Sequence, residues 1–127
     1  MLSKSPVAAT LPVRNLETAK RFYEQQLGLT LQAGSVPEGF LEFEAGKGTC
    51  LMLFESESSE TTDNTVATFD VKDLDKEMAD LRGRGVKFED YDLPNCKTVD
   101  GVANMDGHVM AWVKDPHGHV LALHQAE

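Results

Sequence analysis

Residues 108–124 read HVMAWVKDPHGHVLALH. At their centre, Asp115-Pro116-His117-Gly118 has the chemistry of a type I turn. Asp at the first position bonds the backbone ahead of it, Pro at the second presets φ, and Gly closes the turn. Short apolar runs flank it, so the stretch predicts a β-hairpin. Alternation along the two strands sorts their side chains onto two faces. Val109, Ala111, Val113, Leu121 and Leu123 share one that is uniformly apolar, as a face lying against helices should be. His108, Met110, Trp112, Val120, Ala122 and His124 share the other. That second face is too polar for a helix-covered core and too apolar for a solvated surface. A ligand-facing cup fits both halves of the description.

The bulk properties narrow the classes of function. A chain of 127 residues is long enough for one domain, 1–127, with its own core. A net charge of −9, from 12 basic and 21 acidic residues, argues against nucleic acid or an anionic membrane as partner. No apolar run approaches the ~20 residues of a membrane span. The first ten residues lack the long apolar region of a signal peptide. Cys50 and Cys96 have neither CxxC nor zinc-site spacing. The expectation is a cytoplasmic protein with reduced, structural thiols.

Outward from the hairpin, residues 7–13 alternate as a strand, with Pro12 suited to an edge position because it cannot donate to a ladder. Asn15 caps a helix whose apolar residues Leu16, Ala19, Phe22 and Leu27 follow helical spacing, and Gly28 ends it. Strands are expected over 30–33, 40–45 and 49–55, followed by a polar, acidic linker over 55–64. A second strand at 65–71 leads to a helix capped by Asp73, with Leu74, Met78 and Leu81 as its buried stripe and Gly83 and Gly85 as its stop. Residues 86–91 read as a strand and 92–105 as a long loop.

This order is βαβββ written twice, as modules of about 6–56 and 64–125. Val13-Arg-Asn-Leu-Glu17 matches Val71-Lys-Asp-Leu-Asp75 at an offset of 71 − 13 = 58. Gly48-Thr-Cys-Leu-Met-Leu53 matches Gly118-His-Val-Leu-Ala-Leu123 at 118 − 48 = 70. The difference, 70 − 58 = 12, falls mainly in the 92–105 loop. An insertion beside a cup commonly shapes or covers the ligand site.

The first helix contains Leu16-Glu-Thr-Ala-Lys-Arg-Phe-Tyr-Glu-Gln-Gln-Leu-Gly-Leu29, and the last hairpin Asp115-Pro-His-Gly-His119. With the doubled βαβββ order, these resemble the vicinal oxygen chelate superfamily. That group holds glyoxalase I, extradiol dioxygenases, and the bleomycin- and fosfomycin-resistance proteins. The resemblance implies an α+β fold in which two tandem βαβββ modules form an open, curled mixed sheet around a central cleft. It also implies a homodimer in many relatives. In metal-dependent members, His or Glu on the first and last strands of each module binds a divalent ion. Here those positions fall on Ala8, Met52, Val66 and Ala122, none suited to a hard or borderline cation. The expectation is no metal and no other cofactor, which removes the Lewis acid of glyoxalase and dioxygenase chemistry.

Four histidines remain. His117 and His119 suggest a displaced HxH metal site, or simply a turn residue and a strand-start residue. His108 and His124 fall on the cup face as ligand-bonding groups or general acid/base candidates, or as histidines satisfied at the rim. Glu42 shares a face with Phe40, and a Glu–His pair across the cup is conceivable. In the first module the cup residues are Thr10, Phe40, Cys50, Met52 and Phe54. In the second they are Thr68, Met110, Trp112, Val120 and Ala122. Phe, Trp and Met favour flat or polarizable ligands, although such residues also fill clefts and interfaces. The first reading is a small-molecule-binding protein holding a largely apolar or aromatic ligand in a metal-free cleft. The alternative is a metal-independent or atypically metallated lyase-, isomerase- or dioxygenase-like enzyme using His108, His124 or Glu42 as acid/base. A third makes the cup a subunit interface.

Overall fold

A computed structural model of the protein describes residues 1–57 and 60–126. Ser58 and Ser59 of the expected linker, and Glu127, lie outside the described residues. The chain divides into two compact units, Met1–Glu60 and Thr61–Glu127.

The first unit comprises β1 (Ala8–Val13), α1 (Leu16–Arg21), β2 (Thr30–Ser35), β3 (Phe40–Glu44) and β4 (Cys50–Glu55). Asn15 caps α1 as expected, its side chain accepting from the Thr18 N–H at 3.0 Å. From Phe22 to Gln26 the helix widens into a π turn, and both Phe22 and Tyr23 are buried. Tyr23 stacks on Phe43 of the sheet with ring centres 6.0 Å apart. The strand order is β1-β4-β3-β2, with β1 parallel to β4 and the other pairs antiparallel. Among the described residues β1 pairs with β4 alone, so Pro12 does sit on an edge strand. Leu11, Val13, Leu41, Phe43, Leu51 and Leu53 are buried together with Leu16 and Ala19 of α1.

The second unit comprises β5 (Thr65–Asp70), α2 (Leu74–Gly83), β6 (Asp92–Leu93), β7 (Cys96–Lys97), β8 (Ala103–Met105), β9 (His108–Lys114) and β10 (Val120–Ala126). Its main sheet runs β5-β10-β9-β8, the same arrangement as the first, and β6 pairs with β7 apart from it. Asp73 caps α2 by accepting from the Lys76 N–H at 3.2 Å. Gln125 of β10 accepts from the Leu74 N–H at 2.6 Å, tying the helix start to the sheet. Val113, Leu121 and Leu123 are buried with Leu74, Met78 and Leu81, as the hairpin's apolar face predicts. The hairpin turn forms too: the Gly118 N–H donates to the Asp115 carbonyl at 3.0 Å. The buried Asp115 carboxylate also accepts from the N–H groups of His117, Gly118 and His119.

Two expectations are corrected. Residues 86–91 are not a strand: only Phe88 bridges to Val113, and the Glu89 N–H donates to the Trp112 carbonyl. Val86 and Phe88 are buried, so the alternation read there reflects packing without a ladder. Residues 92–105 are not a structureless loop, because they hold β6, β7 and β8. Asp100-Gly101 and Asp106-Gly107 all have positive φ, the geometry of type I′ turns. Asp-Gly between short apolar residues is the local signal that a loop reading passes over.

The register explains why one module is longer. In the first unit Leu31 faces Phe43 and Ser35 faces Phe40 across one continuous edge strand. In the second, Phe88 faces Val113 and Ala103 faces Met110, so the same edge is made in two pieces. The offsets are 88 − 31 = 57 and 103 − 35 = 68, which places an 11-residue excess inside that edge strand. Asp90 closes the base of the excursion, accepting from the Gly101 N–H at 2.9 Å and the Thr98 hydroxyl at 2.8 Å.

Candidate functional site

On the first unit's sheet, every second residue points away from α1. Register sets them in rows. Thr10 lies beside Met52 and Met52 beside Glu42, while Pro12 lies beside Phe54 and Phe54 beside Phe40. Among the described residues of this unit, α1 packs on the opposite face. Phe40, Glu42, Cys50 and Met52 are half-buried, Thr10 is exposed, and Phe54 keeps 38% of its surface. Phe40 packs against the residue before its register partner Ser35. Gly34 has φ +86°, and a Cβ there would meet the Phe40 carbonyl oxygen and come within 2.8 Å of the ring. Only glycine lets the aromatic ring lie against the β2 backbone. Cys50 accepts from the Gln32 amide at 3.3 Å, the contact of a structural thiol.

The corresponding face of the second unit differs. Trp112, Val120 and Ala122 form a buried cluster with Ala103, and Tyr91, Cys96, Met105 and Met110 pack against it. Ala122 has no exposed surface and Trp112 retains 8%. The Tyr91 ring meets Trp112 edge-on at 5.5 Å, and the indole N–H donates to the Thr65 hydroxyl at 3.2 Å. Tyr91 belongs to the excursion, so the inserted segment is what covers this face. Burial, and then the charges of Glu89, Cys96 and Asp63, push the Tyr91 hydroxyl pKa above its ordinary value. Thr68 is exposed beside Ala122.

The four positions that would carry metal ligands are scattered in environment. Ala8 is exposed, Met52 half-buried, and Ala122 sealed. Val66 is 40% exposed and is the bulged residue skipped between the Thr65–Val120 and Ala67–Leu121 pairs. Among the described residues no three His, Cys, Asp or Glu side chains are grouped to hold a metal ion. The His117 and His119 rings do approach, at 5.0 Å between centres, but His119 is buried.

His108 and His124 are brought together. Nδ1 of His108 lies 2.8 Å from Nε2 of His124. The carboxylate partner of His124 is Asp70, with Oδ1 2.8 Å from Nδ1, not the Glu42 considered from the sequence. Asp70 was readable in principle. It ends a strand whose alternation, reset by the bulge at Val66, puts Thr65, Thr68 and Asp70 on the helix-free face.

Residues 6–123 match the family described as the Glyoxalase/Bleomycin resistance protein/Dioxygenase superfamily. Comparison with curated proteins finds no match. Among solved structures the chain is similar to TnmS3, an antibiotic binding protein from Streptomyces sp. CB03234, at 24% identity and TM-score 0.68 over 98% of each chain. A glyoxalase/bleomycin resistance protein/dioxygenase from Alicyclobacillus acidocaldarius gives 17% identity and TM-score 0.74, over 97% of this chain and 92% of that one. The fosfomycin resistance protein FosX from Mesorhizobium loti gives 17% and 0.67, over 98% and 93%. At these identities the likeness is one of fold.

Proposed function

Because this chain belongs to the glyoxalase/bleomycin resistance protein/dioxygenase superfamily, we propose that it is a small-molecule-binding protein that holds a largely apolar or aromatic ligand without a metal ion. The observation that carries this reading is the partly open row Phe40, Met52 and Phe54, with Glu42 and Thr10 beside it. Aromatic rings and a thioether left partly open to water gain free energy when a flat apolar molecule covers them. The antibiotic-binding description of TnmS3, a relative in fold, supports the same class of role. Ala8, Met52, Val66 and Ala122 supply no donor suited to Zn²⁺, Ni²⁺, Fe²⁺ or Mn²⁺, the Met52 thioether being a lone soft ligand, which supports the metal-free part. The proposal includes the homodimer that the resemblance implies, and a cytoplasmic setting in which the free thiols Cys50 and Cys96 stay reduced.

The test uses Nile red, a neutral aromatic dye that a net charge of −9 does not repel. Saturable enhancement of its fluorescence is expected, weakened about tenfold or more by Phe40→Ala or Phe54→Ala, the scale of one lost aromatic contact. Equal binding by the variants and the parent would sink the assignment of this face. Elemental analysis of untagged protein is expected to find no stoichiometric transition metal, and one tightly held ion per chain would falsify the metal-free reading. Sedimentation equilibrium is expected to give twice the chain mass; a monomer at micromolar concentration removes the dimer from the proposal.

A further inference from the structure

Three side chains on the second unit's sheet form an ordered chain that ligand binding on the first unit does not use. Asp70 and His124 are register partners on β5 and β10. His124 faces Met110 across β9 and β10, and His108 stands one same-face step further along β9, the diagonal position that long side chains can reach. The result is Asp70 Oδ1 to His124 Nδ1 at 2.8 Å, then His124 Nε2 to His108 Nδ1 at 2.8 Å. The imidazole rings are 5.0 Å apart and 24° from parallel.

Hydrogen-bond accounting gives this chain a direction. An ionised carboxylate only accepts, so Nδ1 of His124 carries the hydrogen and donates to Asp70. Neutral His124 then has its lone pair on Nε2, which accepts from Nδ1–H of His108. That leaves the lone pair of His108 on Nε2, at the free end of the chain, on an exposed residue. Met105, paired with His108, and Met110, paired with His124, are both half-buried and flank this end with apolar surface. A carboxylate orients one imidazole, and that imidazole accepts the proton of the attacking group. This is the logic of an activated nucleophile, with a second imidazole where a hydroxyl or thiol often stands.

We propose that Nε2 of His108 is a nucleophile towards activated acyl compounds, with His124 as its base and Asp70 as the positioning residue. Nε2 forms a bond to the acyl carbon and the bond to the leaving oxygen breaks, releasing an alkoxide or phenoxide with its electron pair. The positive charge left on the acylated His108 ring is removed as its Nδ1 proton passes to Nε2 of His124. The imidazolium so formed is stabilised by Asp70. Water then attacks the acyl carbon and the carboxylic acid leaves with one of the water protons. The other passes to solvent, where it offsets the charge of the released alkoxide or phenoxide, and the proton on His124 returns to Nδ1 of His108. This inference goes beyond the binding reading and stands on different residues.

The test is cleavage of p-nitrophenyl acetate by the full chain, followed as p-nitrophenolate against pH. Relative to the parent, His108→Ala and the bulk-retaining His108→Gln are expected to lose about a hundredfold or more, the low end of what one acid–base group contributes. Asp70→Ala is expected to slow the reaction and to shift the midpoint of the pH–rate profile, with the circular dichroism spectrum unchanged because its side chain is 85% exposed. His117→Ala, at the far turn, is expected to retain the rate. Long-range ¹H–¹⁵N spectra at alkaline pH give a readout independent of activity: both His108 and His124 should carry hydrogen on Nδ1. In Asp70→Ala the His124 ring should lose that preference. Rates unaffected by both His108 substitutions overturn the proposal, as does Asp70→Ala leaving both the pH profile and the tautomers unchanged. Nile red binding by Phe40→Ala tests the binding reading alone, and ester cleavage by the His108 variants tests this one, so the two readings fail separately.

Discussion

The helix-free faces of the two sheets began from the same strand order and ended in different states. In the first unit the edge strand β2 is a single strand with one register shift between Leu31 and Ala33, and the face beside it keeps Phe40, Met52 and Phe54 partly in water. In the second, the corresponding edge is interrupted between Phe88 and Ala103. The excursion carries Tyr91 and Cys96 over Trp112, Val120 and Ala122. Alternation assigns a residue to a face, but what covers that face is decided by segments remote in sequence. The same period-two pattern therefore yields an open apolar row in one unit and a second small core in the other.

The largest effects should fall on the covered face. Trp112→Ala is expected to destabilise the protein by roughly 3–5 kcal/mol, the range for removing a buried aromatic side chain. Leu121→Ala, on the opposite face with no exposed surface, is expected to cost roughly 2–5 kcal/mol. Urea denaturation measures both. If Trp112→Ala is close to neutral, the tryptophan contributes little to packing and the second face is open after all.

On the open face the contrast reverses. Phe54→Ala is expected to change stability by less than about 1 kcal/mol, because much of the ring already contacts water. A loss comparable to that of Trp112→Ala would mean that Phe54 is covered in solution, and the contrast between the faces would collapse.

The smallest expected effect is a pH dependence at the cover itself. The Tyr91 pKa is raised above 10.0, first by burial and then by nearby negative charge. Folding therefore favours the protonated phenol. Its contribution to stability is complete below the unfolded-state pKa of about 10 and is lost as pH rises through the higher folded value. Tyr91→Phe should flatten the fall in stability between neutral and strongly alkaline pH. Identical slopes for the parent and the variant would mean that the phenol is not desolvated by the cluster.

Much of this architecture was legible without coordinates, for local reasons. Asn15 and Asp73 satisfy helix N–H groups within three residues of themselves, and Asp115 and Gly118 close a turn of four residues. Such interactions depend on neighbours in the chain, so short-range chemistry announces them. The Asp-Gly turns of the excursion were equally local, and reading 92–105 as loop passed over them. Residues 86–91 misled for the opposite reason: burial of Val86 and Phe88 by tertiary packing imitates the alternation of a strand.

The candidate site was legible only in part. Alternation put His108 and His124 on one face, and they meet there. Alternation from Thr68 puts Asp70 on the same face as well, but only the register of β5 on β10 sets it beside His124.

The sequence by itself determined the α+β class, the two βαβββ units, the caps and turns that bound their elements, and which residues share a face. Each follows from period, steric preference or hydrogen bonding over a few residues. Only the tertiary structure decided that Tyr91 covers Trp112, that Asp70 rather than Glu42 partners His124, and that Phe54 stays partly open. These outcomes turn on register and on contacts between distant segments. A single inserted or bulged residue changes them, while the local pattern on either side reads the same.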